Sequence, residues 1–494
     1  MAVPEPTAGP PAITAASSPL LSTVGTVASL FGTALTTTAK HYTVGGHAPT
    51  WTLKTSILTN IIRHKSGIDL AARQKNPPKT ADDILRLARE TRESTEKMLA
   101  KDADKLEDGV IAFVDIDVKK RKFGGLLAEL SAQEDGTRKV KAEWLAHITL
   151  LDGTKPLSNM VILSTHGGAH VRCSPATHRA MHTEMSGATE CLVFSVDYRL
   201  SPEVVFPASL LDTVHAYLYL TEDLGIPSSQ ILVEGDSAGG HLALQLLMYL
   251  RDAGLPQVAG GLLLSPWVDM SSSFASWDEN RLIDYLALDD PDDPLRPSRL
   301  YLIGADPSKE TSYCELLTHP SVSPSLAPLS SLSSLPPLLI QGAGLECLRD
   351  EDTVLARRLR KAGNEKVTHQ VWMDGVHVFQ LLQADRAGKA AMRSLAEWVE
   401  GTYGSAKEGG TEWAEKPLAL LKAERDARIA RVGRIATAKP AAPHGFKWEK
   451  TVERLADVGV KKEGAIEAAK QAAEEANAVA DGLAQSEAFR PVRA

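Results

Sequence analysis

Residues 231–250 read ILVEGDSAGGHLALQLLMYL, and the order of residue types along them decides the fold. Ile231, Leu232 and Val233 form a short apolar run of the kind that makes a buried strand. His241 to Leu250 contains no glycine or proline and is rich in good helix formers. Between strand and helix lies Gly235-Asp236-Ser237-Ala238-Gly239-Gly240. A Gly-x-Ser-x-Gly turn in that setting is sharp, and it thrusts the serine hydroxyl into the open. Side chains at Gly235 or Gly239 would run into neighbouring backbone, and the helix N-terminus lends the serine partial positive charge. Chance alone yields this pattern on the order of 0.2 times in a chain of this length. The strand before it and the helix after it therefore carry the weight of the reading.

Seventy-one residues before Ser237, His166-Gly167-Gly168-Ala169-His170 follows the apolar run MVILS. A glycine-rich loop at a strand end brings backbone N–H groups close to a bound substrate. A nucleophilic serine that attacks a carbonyl creates an oxyanion, and donors must already point at it. The expected donors are the N–H groups of Gly167, Gly168 and Ala238, with His166 and Asp236 supporting the loop.

A serine of this kind needs a base and an orienting acid, in the chain order serine, acid, histidine. Downstream histidines are His241, His319, His369, His377 and His444. His377 follows a strand end and the turn Met373-Asp374-Gly375-Val376, which places it in a loop at the sheet edge. His241 lies on the helix after Ser237 and points away from the hydroxyl. His369 is inside a strand, and His444 is in the tail. His377 is thus the expected base. For the acid, Glu346 lies just past the strand Pro337–Gln341, with Asp350 as runner-up. Asp350, Glu351 and Asp352 open a helix and read as its caps.

Working outward, short apolar runs recur at 160–164, 192–196, 261–264 and 367–372, with helix-like stretches such as 209–220 between them. Apolar strands alternating with helices predict a mostly parallel sheet with helices on both faces. Residues 110–118 and 139–148 alternate like half-buried strands. Residues 268–335 are rich in Ser, Pro and Asp, which predicts long surface loops. His178 and His182 stand four apart like a zinc pair, but no third ligand or glutamate accompanies them, so a surface helix is expected and no metal.

The chain has 494 residues, 43% hydrophobic and 23% charged, with net charge −8. That balance excludes a disordered or multi-span membrane chain, and the acidic charge argues against nucleic acid as a partner. The cysteines Cys173, Cys191, Cys314 and Cys347 have no metal-ribbon spacing. Residues 1–49 read as an uncharged leader, flexible or membrane-associating. Its segment 19–39 is long enough to span a bilayer but holds six Thr and two Ser. No basic stretch precedes it, so a secretory signal is not expected; an intracellular protein is, cytoplasmic or associated with a lipid membrane. Residues 50–108 read as a helical cap. Leu53, Ile57 and Ile61 fall on one face behind Trp51, and Thr80 to Asp83 resembles a capping box. Residues 109–404 form the catalytic domain, and 405–494 an Ala/Glu/Lys-rich helical or partly disordered tail, with 22 alanines in 90 residues. Because no expected site residue lies beyond His377, a chain ended after residue 404 is expected to keep its activity.

The set HGGAH (166–170), DYRLSPE (197–203), GDSAGGH (235–241), SPWVD (265–269), LECLRDE (345–351) and DGVHVF (374–379) resembles the hormone-sensitive-lipase family of α/β-hydrolases. The resemblance covers roughly 155–400. It implies an α/β-hydrolase fold with a mainly N-terminal helical cap. It also implies a carboxylester hydrolase acting through an acyl-enzyme, with no cofactor and a small-molecule ester as substrate. The family's usual acid is aspartate, and Glu346 stands at that position. The usual last glycine of the oxyanion loop is Ala169. HYTVGGHAPTW (41–51) with the leader is similar to the fungal branch that includes steryl-acetate deacetylases. An amide hydrolase of arylacetamide or formamide type would use the same triad. A catalytically silent binding protein on this scaffold would have lost the nucleophile or the base. The apolar face at 50–66 and the crowding expected from His170 and Val171 predict short acyl groups on a hydrophobic alcohol.

Overall fold

The computed structural model describes residues 19–101, 103, 106–286, 290–381, 386–404 and 411–437. Eight strands make one sheet: β1 Gly109–Asp117, β2 Lys139–His147, β3 Val161–Thr165, β4 Leu192–Asp197, β5 Ile231–Asp236, β6 Gly260–Leu264, β7 Leu338–Ala343 and β8 Val367–Trp372. Their order is β1-β2-β4-β3-β5-β6-β7-β8. β2 runs antiparallel to both β1 and β4, and every pair from β4 to β8 is parallel.

The apolar strand runs follow from cover on both faces, since successive side chains point to opposite sides. Ile162, Leu232, Leu262 and Leu339 pack with Met181, Met185, Met392 and Leu395 from the helices Pro175–Thr189 and Arg386–Tyr403. Their neighbours Leu163, Val233, Leu263 and Ile340 pack the other way. There they meet the helices Ala208–Leu218, Ala238–Asp252 and Arg349–Lys361. All the parallel strands end at one edge, where their loops meet and where a site is expected in an open α/β sheet.

Three long helices precede the sheet, one in the leader and two in the expected cap. The first cap helix runs Leu53–Lys75, with the Thr52 hydroxyl accepting from Thr55 N at 3.1 Å. Its buried face corrects the expected one: Thr55, Ser56 and Thr59 are buried, while Leu53, Ile57 and Ile61 are only half-buried. Trp51 is the anchor. It is buried beside Val376, and its Nε1 donates to Asp374 O at 2.6 Å. The second helix, Ala81–Leu99, opens with the expected capping box between Thr80 and Asp83. Its Ile84 and Ala88 pack on Val171 and Leu300, and Arg92 donates to Val171 O and Ser201 O. The leader forms a helix over Pro19–Thr43, tied to the first cap helix by Ser29–His64 and His41–Ser56 hydrogen bonds. Phe31 and Leu35, one turn apart, face solvent. Among the described residues no helix is long and apolar enough to cross a membrane.

Residues 268–335 keep the irregular stretches that composition predicts, but they are more than surface loops. They carry the helices Ser276–Asn280, Pro297–Ile303 and Glu310–Leu317. Met270, Tyr301, Leu302 and Tyr313 form a buried cluster with Trp267 and Ala238, directly over the serine turn. Pro297, Pro307 and Pro324 open helical turns here, and the apolar residues between them decide the burial.

The tail boundary also moves. Trp413, Ala414 and Leu421 are buried in the main core, and the helix Glu415–Thr437 begins there. Compact packing continues to Asp426. The predicted second tail helix, 448–486, lies outside the described residues. Deleting a single buried tryptophan typically costs about 3–5 kcal/mol. A chain ended after residue 404 is therefore expected to melt at a clearly lower temperature. Thermal unfolding followed by circular dichroism, with the full chain as reference, checks this.

Candidate active site

The turn at the end of β5 has the strain its sequence implies. Ser237 sits at φ 53°, ψ −121°, and its N–H donates to Leu264 O at 2.8 Å. A Cβ on Gly235 would collide with the backbone of Gly239, and one on Gly239 with Thr165 O. The glycines are therefore needed for the helix Ala238–Asp252 to start directly against β3.

The loops after β7 and β8 bring the other two groups to the serine. His377 Nε2 lies 2.9 Å from Ser237 Oγ, and His377 Nδ1 lies 2.9 Å from Glu346 Oε2. Glu346 Oε1 accepts from Ala343 N. Ser237 is 8% exposed, His377 3% and Glu346 0%. Burial opposes a charge on His377. The hydrogen bond and charge of Glu346 overcome it, aided by Asp284 and Asp236, so its pKa is raised above 6.5. The imidazole is thus placed to take the serine proton at Nε2 while the carboxylate holds the Nδ1 proton in place.

The runner-up acid is occupied elsewhere. Asp350 accepts from Ser276 N and pairs with Arg349, 2.9 Å away. Glu351 caps Val268 N and Asp269 N. His241 hydrogen-bonds to His170 Nε2 and Ser321 O, and burial pushes its pKa down to about 4. His369 lies in β8, and His444 lies outside the described residues.

In the loop after β3 one expected donor is corrected. Gly167 N–H is donated to Asp236 Oδ1 at 2.9 Å, so it cannot also serve an oxyanion. The N–H groups of Gly168, Ala169 and Ala238 make no hydrogen bond among the described residues. Gly168 at φ 109° and Ala169 at φ 57° turn the loop, and any side chain at Gly168 would meet Arg172 O. His166 Nδ1 contacts Gly167 O at 2.7 Å, and the ring stacks on Tyr198, whose hydroxyl donates to His166 O. Burial, with His178 adding, pushes the His166 pKa down to about 3, so it is neutral and supports the loop. Arg199 is held by Asp212.

His178 and His182 are another correction: both are buried rather than on a surface helix. His178 Nε2 lies 3.1 Å from Asp236 Oδ1, and His182 Nε2 lies 3.0 Å from Ser164 Oγ. Burial alone would raise the Asp236 carboxyl. The charge and hydrogen bond of His178, then the Gly167 N–H, bring it below its usual value. His178 therefore braces the oxyanion loop through Asp236, while His182 is tied to Ser164 of β3 and lies 3.6 Å from Glu234 of β5.

Asp284 carries no sequence signal. It stands in the segment expected to be surface loop, yet it is 0% exposed. Its two oxygens accept from His377 N at 3.1 Å and Cys347 N at 2.8 Å. One carboxylate thus ties the base loop to the acid loop. No motif flags it, because the partners are backbone groups brought together only by the fold.

Fold and site together define an α/β-hydrolase arranged for ester hydrolysis. A family profile described as alpha/beta hydrolase fold matches residues 162–381. An acetyl-hydrolase of Streptomyces hygroscopicus is 36% identical over 218 residues, covering 44% of this chain and 67% of that protein. The carboxylesterase NlhH of Mycobacterium tuberculosis is 32% identical over 241 residues, covering 48% of this chain and 72% of its own. A crystal structure of an esterase from the bacterial hormone-sensitive lipase family matches with TM-score 0.50 at 29% identity. The match covers 69% of this chain and 98% of that one. The chain belongs to the hormone-sensitive-lipase family of α/β-hydrolases and is a carboxylic ester hydrolase.

Proposed function

We propose that this chain hydrolyses short-acyl esters of hydrophobic alcohols through an acyl-enzyme on Ser237. The observation that carries the reading is the unbroken line Ser237–His377–Glu346, with both contacts at 2.9 Å. Ser237 Oγ attacks the ester carbonyl carbon as His377 Nε2 takes its proton. The oxyanion is held by the N–H groups of Gly168, Ala169 and Ala238. The carbon–oxygen bond to the alcohol breaks, and the alcohol leaves with the proton from His377. Water, activated by the same imidazole, then attacks the acyl-serine and releases the acid. Glu346 remains ionised throughout.

Two features support a small acyl group. Tyr301 stacks on His170 with ring centroids 3.9 Å apart, filling space beside the oxyanion loop. Trp267 and Met270 pack around Ala238, with Ala169 alongside. To the alcohol we assign the half-buried Leu53, Ile57 and Ile61 of the cap helix. The acetyl-hydrolase relative, by its name, supports a small acyl group. The test is a series of nitrophenyl esters of increasing acyl length, run beside acetylated sterols and matched amides. Each methylene that fits is worth about 0.8 kcal/mol, so rates should climb from acetyl and collapse beyond about hexanoyl, with amides slower throughout. Rates that keep rising to long-chain triglycerides would overturn the short-acyl reading.

A further inference from the structure

Beside the expected triad acid lies a second carboxyl group that the mechanism does not use. Asp352 stands in the first turns of the helix Arg349–Lys361 and is 0% exposed. Neither of its oxygens receives a hydrogen bond from any described residue. Its own N–H goes to Leu348 O, as helix geometry requires. The end of β7 brings it against Glu346. A Cβ placed on Gly342 would sit 2.8 Å from Asp352 Oδ2 and 3.3 Å from Glu346 Oε1. The two carboxyl groups therefore flank one point of backbone, and a Cβ there would force the Asp352 carboxyl to shift.

The charged groups that face Asp352 are Glu346, from the loop after β7, and Glu351, its neighbour on the helix. Both are acids. Behind Glu346 stand His377 and Asp284. Among the described residues no cation pairs with Asp352, and no N–H reaches its carboxyl group. An ionised carboxylate left without a donor in a dry site beside a second carboxylate is strongly disfavoured. Glu346 has both oxygens supplied with donors, from Ala343 N and His377 Nδ1, so Glu346 carries the charge and the proton belongs on Asp352.

We infer that Asp352 is a positioning residue: protonated, it donates its hydroxyl to Glu346 Oε1 and so fixes the carboxylate that orients His377. The pair carries one proton and one negative charge, the stable state for two close carboxyl groups in a dry site. Burial and then the Glu346 and Glu351 charges push the Asp352 pKa well above its usual value, in the direction this requires. The lone hydrogen bond also fits the longer acid. Glu346 has one more rotatable bond than an aspartate, and a second donor on Oε1 removes that freedom.

This rests on Glu346 serving as the triad acid, and the two ideas fail differently. If that reading is wrong, Glu346→Gln leaves kcat unchanged. The test here is the pair D352N and D352A, assayed with a nitrophenyl acetate series across pH. Asparagine keeps a neutral donor of the same shape, so kcat should stay within about threefold of wild type. The acid limb of kcat/KM, which reports His377, should not move. Alanine removes the donor, and kcat should fall about 10- to 100-fold with KM little changed. An acid limb that drops by about half a unit or more in D352N would mean that a negative charge had been removed, and so would overturn the protonated state. Equal losses in D352N and D352A, or no loss in D352A, would overturn the positioning role. Should D352A not fold, the D352N pH profile decides alone. An infrared difference spectrum, wild type minus D352N at neutral pH, gives a second reading: the carbonyl stretch of a protonated acid supports the assignment, and its absence refutes it.

Discussion

Ser237→Ala is expected to remove ester turnover almost completely, by a factor on the order of 10⁶ in kcat, the scale seen when the nucleophile of a serine triad is deleted. The reasoning is local. Among the described residues the only side-chain hydrogen bond of Ser237 is the one to His377, so deleting it leaves no group besides His377 without its partner. The strained backbone at φ 53° is held by Ser237 N to Leu264 O, Trp267 N to Ser237 O and the start of the helix. Alanine demands nothing more of that turn, and the fold should survive. A fluorophosphonate probe should label the wild type and leave the variant unlabelled, with unchanged circular dichroism. Labelling that persists in the variant would remove Ser237 as the nucleophile.

Glu346→Gln is expected to cost a factor on the order of 10²–10⁴ in kcat. The amide keeps the shape but loses the charge, and it can offer an N–H to the imidazole, which favours the wrong tautomer. The pH profile adds a signed expectation. In the wild type Glu346 raises the His377 pKa against burial, so the acid limb lies above 6.5. Without the carboxylate, burial prevails and the limb moves to lower pH. Asp350→Asn is the control. Its carboxylate serves Ser276 and Arg349, so its effect should be small. A large loss in Asp350→Asn with none in Glu346→Gln would reassign the acid.

Much of the fold was legible in the chain because its signals are local. The strands at 161–165, 231–236 and 260–264 each carry an unbroken run of three apolar residues, a direct consequence of cover on both faces. The serine turn announces itself because backbone crowding allows only glycine at 235 and 239. Chain order and strand ends were enough to single out Glu346 and His377, since both follow a strand that stops at the same sheet edge.

What the tertiary structure decided concerns groups whose partners are far away in sequence. Composition misread 268–335, because Ser and Pro describe the turns of that segment and say nothing of which face its Tyr301 and Met270 find. Polarity misread His178, whose burial is compensated by an aspartate 58 residues further on. Gly167 looked like an oxyanion donor until its N–H was seen to be committed to Asp236. Asp284 and Asp352 are invisible to any motif, since one binds loop backbone and the other faces a glutamate across a glycine. The sequence by itself determined the layers of the fold and the line of Ser237, His377 and Glu346, because sterics and hydrophobic periodicity act over a few residues. Which carboxyls, N–H groups and helices brace that site was decided only by the fold, because hydrogen bonds and charge act through space and leave no trace in local spacing.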